Sequence, residues 1–540
     1  MISATYTAHQ VGWRYSAATL DSYLTDAASG SPTVSSVVQG ETLLSYAALD
    51  RQAESLSAGL QLLGVAAGSV VTAQMPNWWE AAVAIQAVLR MACVINPVVP
   101  IYREAEMSFI LKQAHSRVVF IGHRYRGFDY VEMMQRVLDS ATDRPLVVVV
   151  RPETTLPDGF VAFDDVWSLE PLRRPDKSPQ NIAVLLYTSG TTAEPKGVLH
   201  SHETIGWEIE SMIRLLQIDS EDVIFMPSPV GHVTGLLYGV LMPARLSIPS
   251  VLMDIWEPGR AAEIIEENRC TVSVGATPFL TGLRDAYASR GSRSSLRAYL
   301  AGGSDVPPTL IADARSVLGA HVARGYGSSE VPTLTFSSAE DDARFAIETD
   351  GRPVEVGKVR IDNPDAEGEG EILARAPDMF LGYLDASLNA DAFTVDGWFR
   401  TGDLGRLDEG AVVVTGRRKD IIIRGGENIS AKEVENIMYE QPLVAEVANV
   451  GMPDPLLGER SCAFVVPRAG ARLTLTEMVT WLESYRFAKQ KLPERLVLVD
   501  ELPKTASGKV QKFVLRKNIT DSLARESRLS SETENDGFQA

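Results

Sequence analysis

Apolar residues recur along the chain with two different periods. Short β-branched runs, Val147-Val148-Val149-Val150, Ile182-Ala183-Val184-Leu185-Leu186 and Thr271-Val272-Ser273-Val274, predict strands buried on both faces. Longer segments between them have helical spacing: Ile205, Ile209, Met212, Ile213 and Leu216 fall on one face of a helix. This alternation predicts an α/β fold with a large, multi-sheet N-terminal domain. The most apolar stretch, Ala81 to Val99, is interrupted by Arg90 and ends in Asn96-Pro97. A buried helix followed by a strand is expected there rather than a membrane span.

The texture changes near residue 416, where Gly416-Arg417-Arg418-Lys419-Asp420 suggests a hinge. Beyond it, Ser430 with Glu433 and Thr474 with Glu477 have capping-box spacing, so each predicts a helix start. Ala445 to Pro467, rich in Val, reads as strands. The expected division is a domain over 1–416, a small mobile α+β domain over 417–524, and a polar disordered tail over 525–540.

Composition narrows the function classes. The 540 residues are 45% hydrophobic, enough for several cores. Lys and Arg total 51 against 70 Asp and Glu, a formal net charge of −19, which argues against nucleic acid as a partner. Cys93, Cys270 and Cys462 are far apart and lack CxxC spacing, so neither a zinc site nor a disulfide framework is expected. The N-terminal residues lack a basic region followed by an apolar core. A soluble cytoplasmic protein, monomer or homodimer, is the expectation.

After the strand ending at Leu186 comes Tyr187-Thr188-Ser189-Gly190-Thr191-Thr192-Ala193-Glu194-Pro195-Lys196-Gly197. Hydroxyls, a glycine and the Lys196 point charge suit a triphosphate. This is not a Walker A loop, because Pro195 and Gly197 stand where that motif needs Gly and Ser or Thr. Taken alone, such a stretch is equally well a polar surface turn. Further on stand Ala301-Gly302-Gly303-Ser304, Gly325-Tyr326-Gly327-Ser328-Ser329-Glu330 and Gly397-Trp398-Phe399-Arg400-Thr401-Gly402-Asp403.

Together these segments, with Leu502-Pro503-Lys504-Thr505-Ala506-Ser507-Gly508-Lys509, resemble the adenylate-forming superfamily of acyl-CoA synthetases, firefly luciferase and peptide-synthetase adenylation domains. The resemblance runs from about Leu43 to Lys517. It implies an enzyme that uses ATP and Mg2+ to convert a carboxylic acid to an acyl-adenylate. Thr188, Ser189, Gly190, Thr191, Thr192 and Lys196 would hold the phosphates, although Ala193 replaces the usual Gly. Gly303, Tyr326 and Gly327 would receive the adenine, Ser329 the α-phosphate, and Glu330 would ligate magnesium. Asp403, an acceptor-only group, would clamp the ribose hydroxyls with Arg417 nearby.

On the small domain the resemblance implies that Lys419 is the hinge, that Gly425 and Gly426 line a pantetheine channel, and that Lys509 stabilises the adenylation transition state. The two faces would then work in turn, the second passing the acyl group to coenzyme A.

Pro227-Ser228-Pro229-Val230-Gly231-His232-Val233-Thr234-Gly235-Leu236 resembles the family's substrate gate, with His232 between nucleotide and acid. A histidine at such a place is alternatively a core residue with both nitrogens satisfied. With Gly235, Ala276, Thr277, Ala301 and Gly302 the lining is small and mostly apolar, which favours a hydrophobic acid. The gate segment contains no acidic residue to pair an amino-acid ammonium, so amino-acid activation is disfavoured. Gln74-Met75-Pro76-Asn77-Trp78-Trp79-Glu80 with Ile95-Asn96-Pro97, and Gly425 to Ser430 with Gly458 to Cys462, look like the short- and medium-chain acyl-CoA synthetases and cyclohexanecarboxylate-CoA ligase. Two rivals share these features: an enzyme that loads a carrier protein, and a catalytically silent nucleotide-binding relative.

Overall fold

The computed structural model describes residues 13–536 apart from 140, 142, 171, 189–194, 304–305, 339–340, 342, 426, 486 and 506–507, and only the backbone of 343–344 and 527–536. The chain divides into two compact units, one of Met1–Val359 with Leu373–Arg400 and one of Arg360–Ile372 with Thr401–Ala540. The texture change near residue 416 lies inside the second.

The first unit is α/β and carries two large sheets. In the eight-stranded sheet the strand order is Gly382–Tyr383, Lys196–Ser201, Ile182–Thr188, Val94–Val98, Val70–Gln74, Val118–Gly122, Leu146–Val150 and Phe160–Ala162. Its middle strands run parallel. Val147–Val150 and Ala183–Leu186 are buried throughout, the burial expected of continuous β-branched runs between helix layers. In the nine-stranded sheet His321–Tyr326, Ala298–Ala301, Val272–Gly275, Ile224–Met226 and Ser250–Leu252 are parallel neighbours.

Ala81 to Val99 forms the helix Trp79–Arg90 and the strand Val94–Val98. Arg90 ends that helix fully buried, with its charge met by Asp50 and by Glu54 at 2.8 Å. A buried guanidinium survives because it is paired and hydrogen-bonded. The helix His202–Leu215 buries Ile205, Ile209 and Met212, and Ser201 caps its start by accepting from the Thr204 N–H. Among the described residues no helix is long and apolar enough to cross a membrane. The three cysteines are free and buried.

The second unit contains an antiparallel hairpin of Phe399–Asp408 and Ala411–Arg417, and a mixed sheet built on the long hairpin Val444–Asp454 and Gly458–Pro467. Ser430 and Thr474 cap the helices Ala431–Tyr439 and Leu475–Ser484, the second by a full capping box with Glu477. Ile422, Val434, Met438, Val447, Ala463, Met478 and Leu482 form its core. The last helix, Lys512–Asp536, continues through most of the tail that composition reads as disordered. Leu, Ala, Arg and Glu in that stretch are good helix formers despite its polarity.

Candidate active site

Four adjacent parallel strands of the nine-stranded sheet deliver the candidate residues at their carboxyl ends. Ile224–Met226 leads into the gate segment, Val272–Gly275 into Ala276 and Thr277, Ala298–Ala301 into Gly302 and Gly303, and His321–Tyr326 into Gly327, Ser329 and Glu330. Gly275 pairs with Ala301 and Ala301 with Arg324, so three of these ends are level. In open α/β sheets that edge is where ligands bind. Burial marks the same place: residues 325–330 are all partly exposed, while Val322–Arg324 before them and Val331 after them are buried.

The base of the phosphate loop lies on the other sheet. Thr188 and Lys196 are paired across the hairpin of Ile182–Thr188 and Lys196–Ser201, which fixes both ends of the loop. Ser189, Gly190, Thr191 and Thr192 lie outside the described residues. Val198 is paired with Tyr383, and the Lys196 ammonium sits 4.9 Å from the centre of the Tyr383 ring. The Tyr383 hydroxyl donates to Glu330 Oε1 at 2.8 Å, and the Phe380 N–H donates to the Glu330 carbonyl at 2.7 Å. Lys196, over the ring, and Glu330, at the hydroxyl, thereby share one tyrosine. Burial and the Glu330 carboxylate raise the Tyr383 phenol, so it remains a donor.

His200 fixes the neighbouring residue. It is fully buried, and burial lowers its imidazole to about 4, so the ring is neutral. A carbonyl only accepts, so Nε2 carries the proton and donates to Ser329 O at 2.7 Å, while Nδ1 faces Thr204 Oγ1 at 3.1 Å. Gly327 has no room for a side chain, since a Cβ there would lie 2.1 Å from Pro332 O. The turn is held by packing as well as by hydrogen bonds.

The gate segment is locked to both sheets through Asn77. Its Nδ2 donates to the carbonyls of Met226 (3.3 Å), Ser228 (2.9 Å) and Met253 (3.0 Å), and its Oδ1 accepts from the Val230 N–H at 2.7 Å. Asn77 follows the strand Val70–Gln74, so one buried carboxamide gathers two strand ends and the loop before His232. His232 caps the helix Val233–Leu236, with Nδ1 accepting from the Thr234 N–H at 3.4 Å. A Cβ on Gly235 would lie 2.1 Å from Pro229 O, so this helix start is closely packed on its own approach segment. Asn77, His200 and Tyr383 escaped the sequence reading as site residues. Each acts through a partner distant in sequence, and only the motif around Asn77 left a trace.

The remaining candidates fall in the second unit. Asp403 and Arg417 are paired across the hairpin, with Arg417 Nε 2.8 Å from Asp403 Oδ1. The Asp403 N–H donates to Thr401 Oγ1 at 3.1 Å, and the Thr401 hydroxyl donates to Ile372 O at 2.7 Å. Lys419 lies in the turn Arg418–Asp420, where its carbonyl accepts from Arg516 Nη2 at 3.0 Å and Asp420 pairs with Arg516 at 2.5 Å. Burial opposes ionisation of Asp420, but Lys512, Arg516 and Arg417 outweigh it and hold its carboxyl below the usual range.

Gly425 sits at the tip of the hairpin Ile421–Arg424 and Glu427–Ser430 with φ +59°, a conformation that favours glycine in a two-residue turn. Gly426 lies outside the described residues. Arg424 pairs with Gly458 in the sheet, so the two second-unit stretches of branch resemblance are neighbours. Lys509 closes a small turn in which its carbonyl accepts from the Thr505 N–H at 2.7 Å and its N–H donates to Thr505 Oγ1 at 3.1 Å. Among the described residues no group of three or more His, Cys, Asp or Glu is gathered to hold a metal ion, and Glu330 stands as a single carboxylate.

The AMP-binding enzyme family matches residues 24–384, and the AMP-binding enzyme C-terminal domain matches 433–509. The chain is 34% identical over 493 residues to a medium-chain fatty-acid–CoA ligase of Escherichia coli K12, covering 89% of this chain and 87% of that one. It is 33% identical over 526 residues to a salicylyl-CoA synthase / salicylate adenylyltransferase of a Streptomyces species, covering 92% and 93%. The crystal structure of ATP-bound MatB from Rhodopseudomonas palustris superposes with a TM-score of 0.82 at 25% identity, over 94% of this chain and 99% of that one.

Proposed function

The chain belongs to the AMP-binding enzyme family and is an adenylate-forming ligase, and on that premise we propose that it activates a hydrophobic, medium-chain or alicyclic acid and passes it to coenzyme A. What supports the choice of acid is the chemistry of the segment: Gly235, Ala276 and Gly302 are small, Ala301 is fully buried in the hydrophobic core of its sheet, and the gate segment holds no acidic or basic residue other than His232. The relationship to a medium-chain ligase supports the same choice.

A magnesium nucleotide fits the residues present. Lys196 offers a cation and Glu330 a hard carboxylate oxygen, both at Tyr383, with Thr188 at the loop base. Magnesium, when bound, neutralises phosphate charge. Ser329 receives the α-phosphate, Asp403 with Arg417 the ribose, and Lys509 the charge that builds as the acid's carboxylate attacks the α-phosphorus and pyrophosphate leaves. In the second half-reaction the thiol of coenzyme A attacks the acyl carbonyl and AMP departs, with Gly425 and Gly426 beside the pantetheine arm. The domain carrying Lys509 and Gly425 turns about Lys419 between the two steps.

The test is a coenzyme-A-dependent assay with acetate, hexanoate, octanoate, cyclohexanecarboxylate, benzoate and salicylate. Octanoate or cyclohexanecarboxylate should exceed acetate in kcat/KM by about ten-fold or more, equivalent to roughly 1.4 kcal/mol of transition-state binding. Acyl transfer only to a phosphopantetheinylated carrier protein would replace this reading with carrier loading, and absence of pyrophosphate release with every acid would replace it with a silent relative.

A further inference from the structure

One fully buried acid has no part in the chemistry above. Glu208, on the helix His202–Leu215, is completely shielded from solvent, as is Asp378. Glu208 Oε1 accepts from the Tyr238 hydroxyl and, at 2.7 Å, from the Thr333 hydroxyl; the two hydroxyl oxygens are 3.2 Å apart. The Thr333 N–H faces Asp378 Oδ2 at 3.4 Å. Among the described residues, Glu208 Oε2 and Asp378 Oδ1 are buried without a hydrogen-bond partner. Burial pushes the Glu208 carboxyl up to about 7, and burial, with the Glu208 charge second, holds the Asp378 carboxyl well above its ordinary range. Such a group costs stability and is retained where geometry demands it.

The two hydroxyls come from different parts of the site. Tyr238 lies on one turn of π-helix, Leu237–Leu241, that continues the gate helix capped by His232. That wider turn is a feature found mostly at functional places in helices. Thr333 follows the turn bearing Ser329 and Glu330, and Asp378 stands two residues before Phe380, which holds the Glu330 carbonyl. We propose that Glu208 is a positioning residue which joins the gate helix, through Tyr238, to the nucleotide turn, through Thr333, so that the acyl side sets where Ser329 and Glu330 stand. This rests on the reading that residues 325–330 receive nucleotide.

The experiment measures the Kd of magnesium α,β-methylene-ATP by calorimetry, with Tm recorded alongside, for wild type, Tyr238→Phe, Thr333→Val, their double variant and Glu208→Gln. Tyr238→Phe, which removes the gate helix's hydroxyl from its bonds to both Glu208 and Thr333, should weaken nucleotide binding about three- to ten-fold, and the double variant should be no worse than the weaker single one, because both changes break one linkage. Glu208→Gln, which keeps an acceptor oxygen, should stay within about two-fold of wild type. A Tyr238→Phe protein with lowered Tm but unchanged Kd would overturn the proposal and leave a merely structural network. Wild type that fails to bind the nucleotide would overturn the nucleotide reading itself. If Thr333→Val does not fold, Tyr238→Phe alone decides.

Discussion

The turn bearing Ser329 and Glu330 in the first unit and the candidate groups Lys509 and Gly425 in the second are built by different means. Ser329 and Glu330 are held by partners far along the chain: His200 is 129 residues from Ser329, and Tyr383 is 53 from Glu330. The Lys509 N–H and carbonyl bond to Thr505, four residues away, and the Gly425 N–H donates to the Leu457 carbonyl, 32 residues on in the same unit. A group fixed by long-range buried contacts keeps one geometry. A group whose backbone partners lie within its own unit can be carried with that unit without unmaking those bonds. On the proposed function, long-range support suits residues that stay fixed, and support within one unit suits residues that change place with it.

The sharpest way to break this contrast is Lys509→Ala. Acyl-adenylate formation should fall on the order of 10²-fold or more, while conversion of supplied acyl-adenylate with coenzyme A is spared. Equal loss of both steps would sink the division of labour. Asn77→Ala comes next, since it removes the partner of the Ser228 and Met253 carbonyls and of the Val230 N–H, while the Met226 carbonyl keeps the Met253 N–H. The KM for the acid should rise about ten-fold with the KM for ATP changed far less. A parallel rise in both would make Asn77 a general scaffold residue.

Gly425→Ala forces a side chain into a left-handed turn and should slow thioester formation a few-fold, leaving ATP–pyrophosphate exchange unchanged. The smallest effect concerns pH. Burial lowers His200 and His202 to about 4, below the ordinary 6.5. Between these values the unfolded chain binds protons that the folded one does not. Their contribution to stability is therefore complete above about pH 6.5 and is lost as pH falls toward 4. A His200→Gln, His202→Gln double variant should lose less Tm than wild type between pH 6.5 and 4.5, measured by circular dichroism; matching losses would assign the acid sensitivity to other groups.

Much of the fold was legible because local rules carried it. The β-branched runs at 147–150 and 182–186 became strands, and Ser430 and Thr474 started helices, since period and capping chemistry act over a few residues. Lys196, Glu330, Asp403 and Lys509 stand out as candidates in the sequence because their residue types suit phosphate, metal and ribose, and the structure adds that Lys196 and Glu330 share Tyr383 and that Asp403 pairs with Arg417. Tyr383, His200 and Glu208 do not stand out. Each is an ordinary core side chain by composition, and its partner is chosen by sheet order and helix packing, which no local spacing encodes. The pairing of Asp403 with Arg417 likewise comes from a hairpin register with a shift at Leu404/Gly405.

The three cysteines have a practical consequence. Burial pushes the thiols of Cys93 and Cys462 up to about 12 and that of Cys270 higher, so at neutral pH they offer almost no thiolate to a labelling reagent. The natural chain is therefore a silent background for spectroscopic probes. Val395 in the first unit and Leu456 in the second are exposed. A Val395→Cys, Leu456→Cys protein carrying a dye pair would turn the proposed alternation into a distance read in real time, with MgATP and coenzyme A added in turn to the otherwise unaltered enzyme.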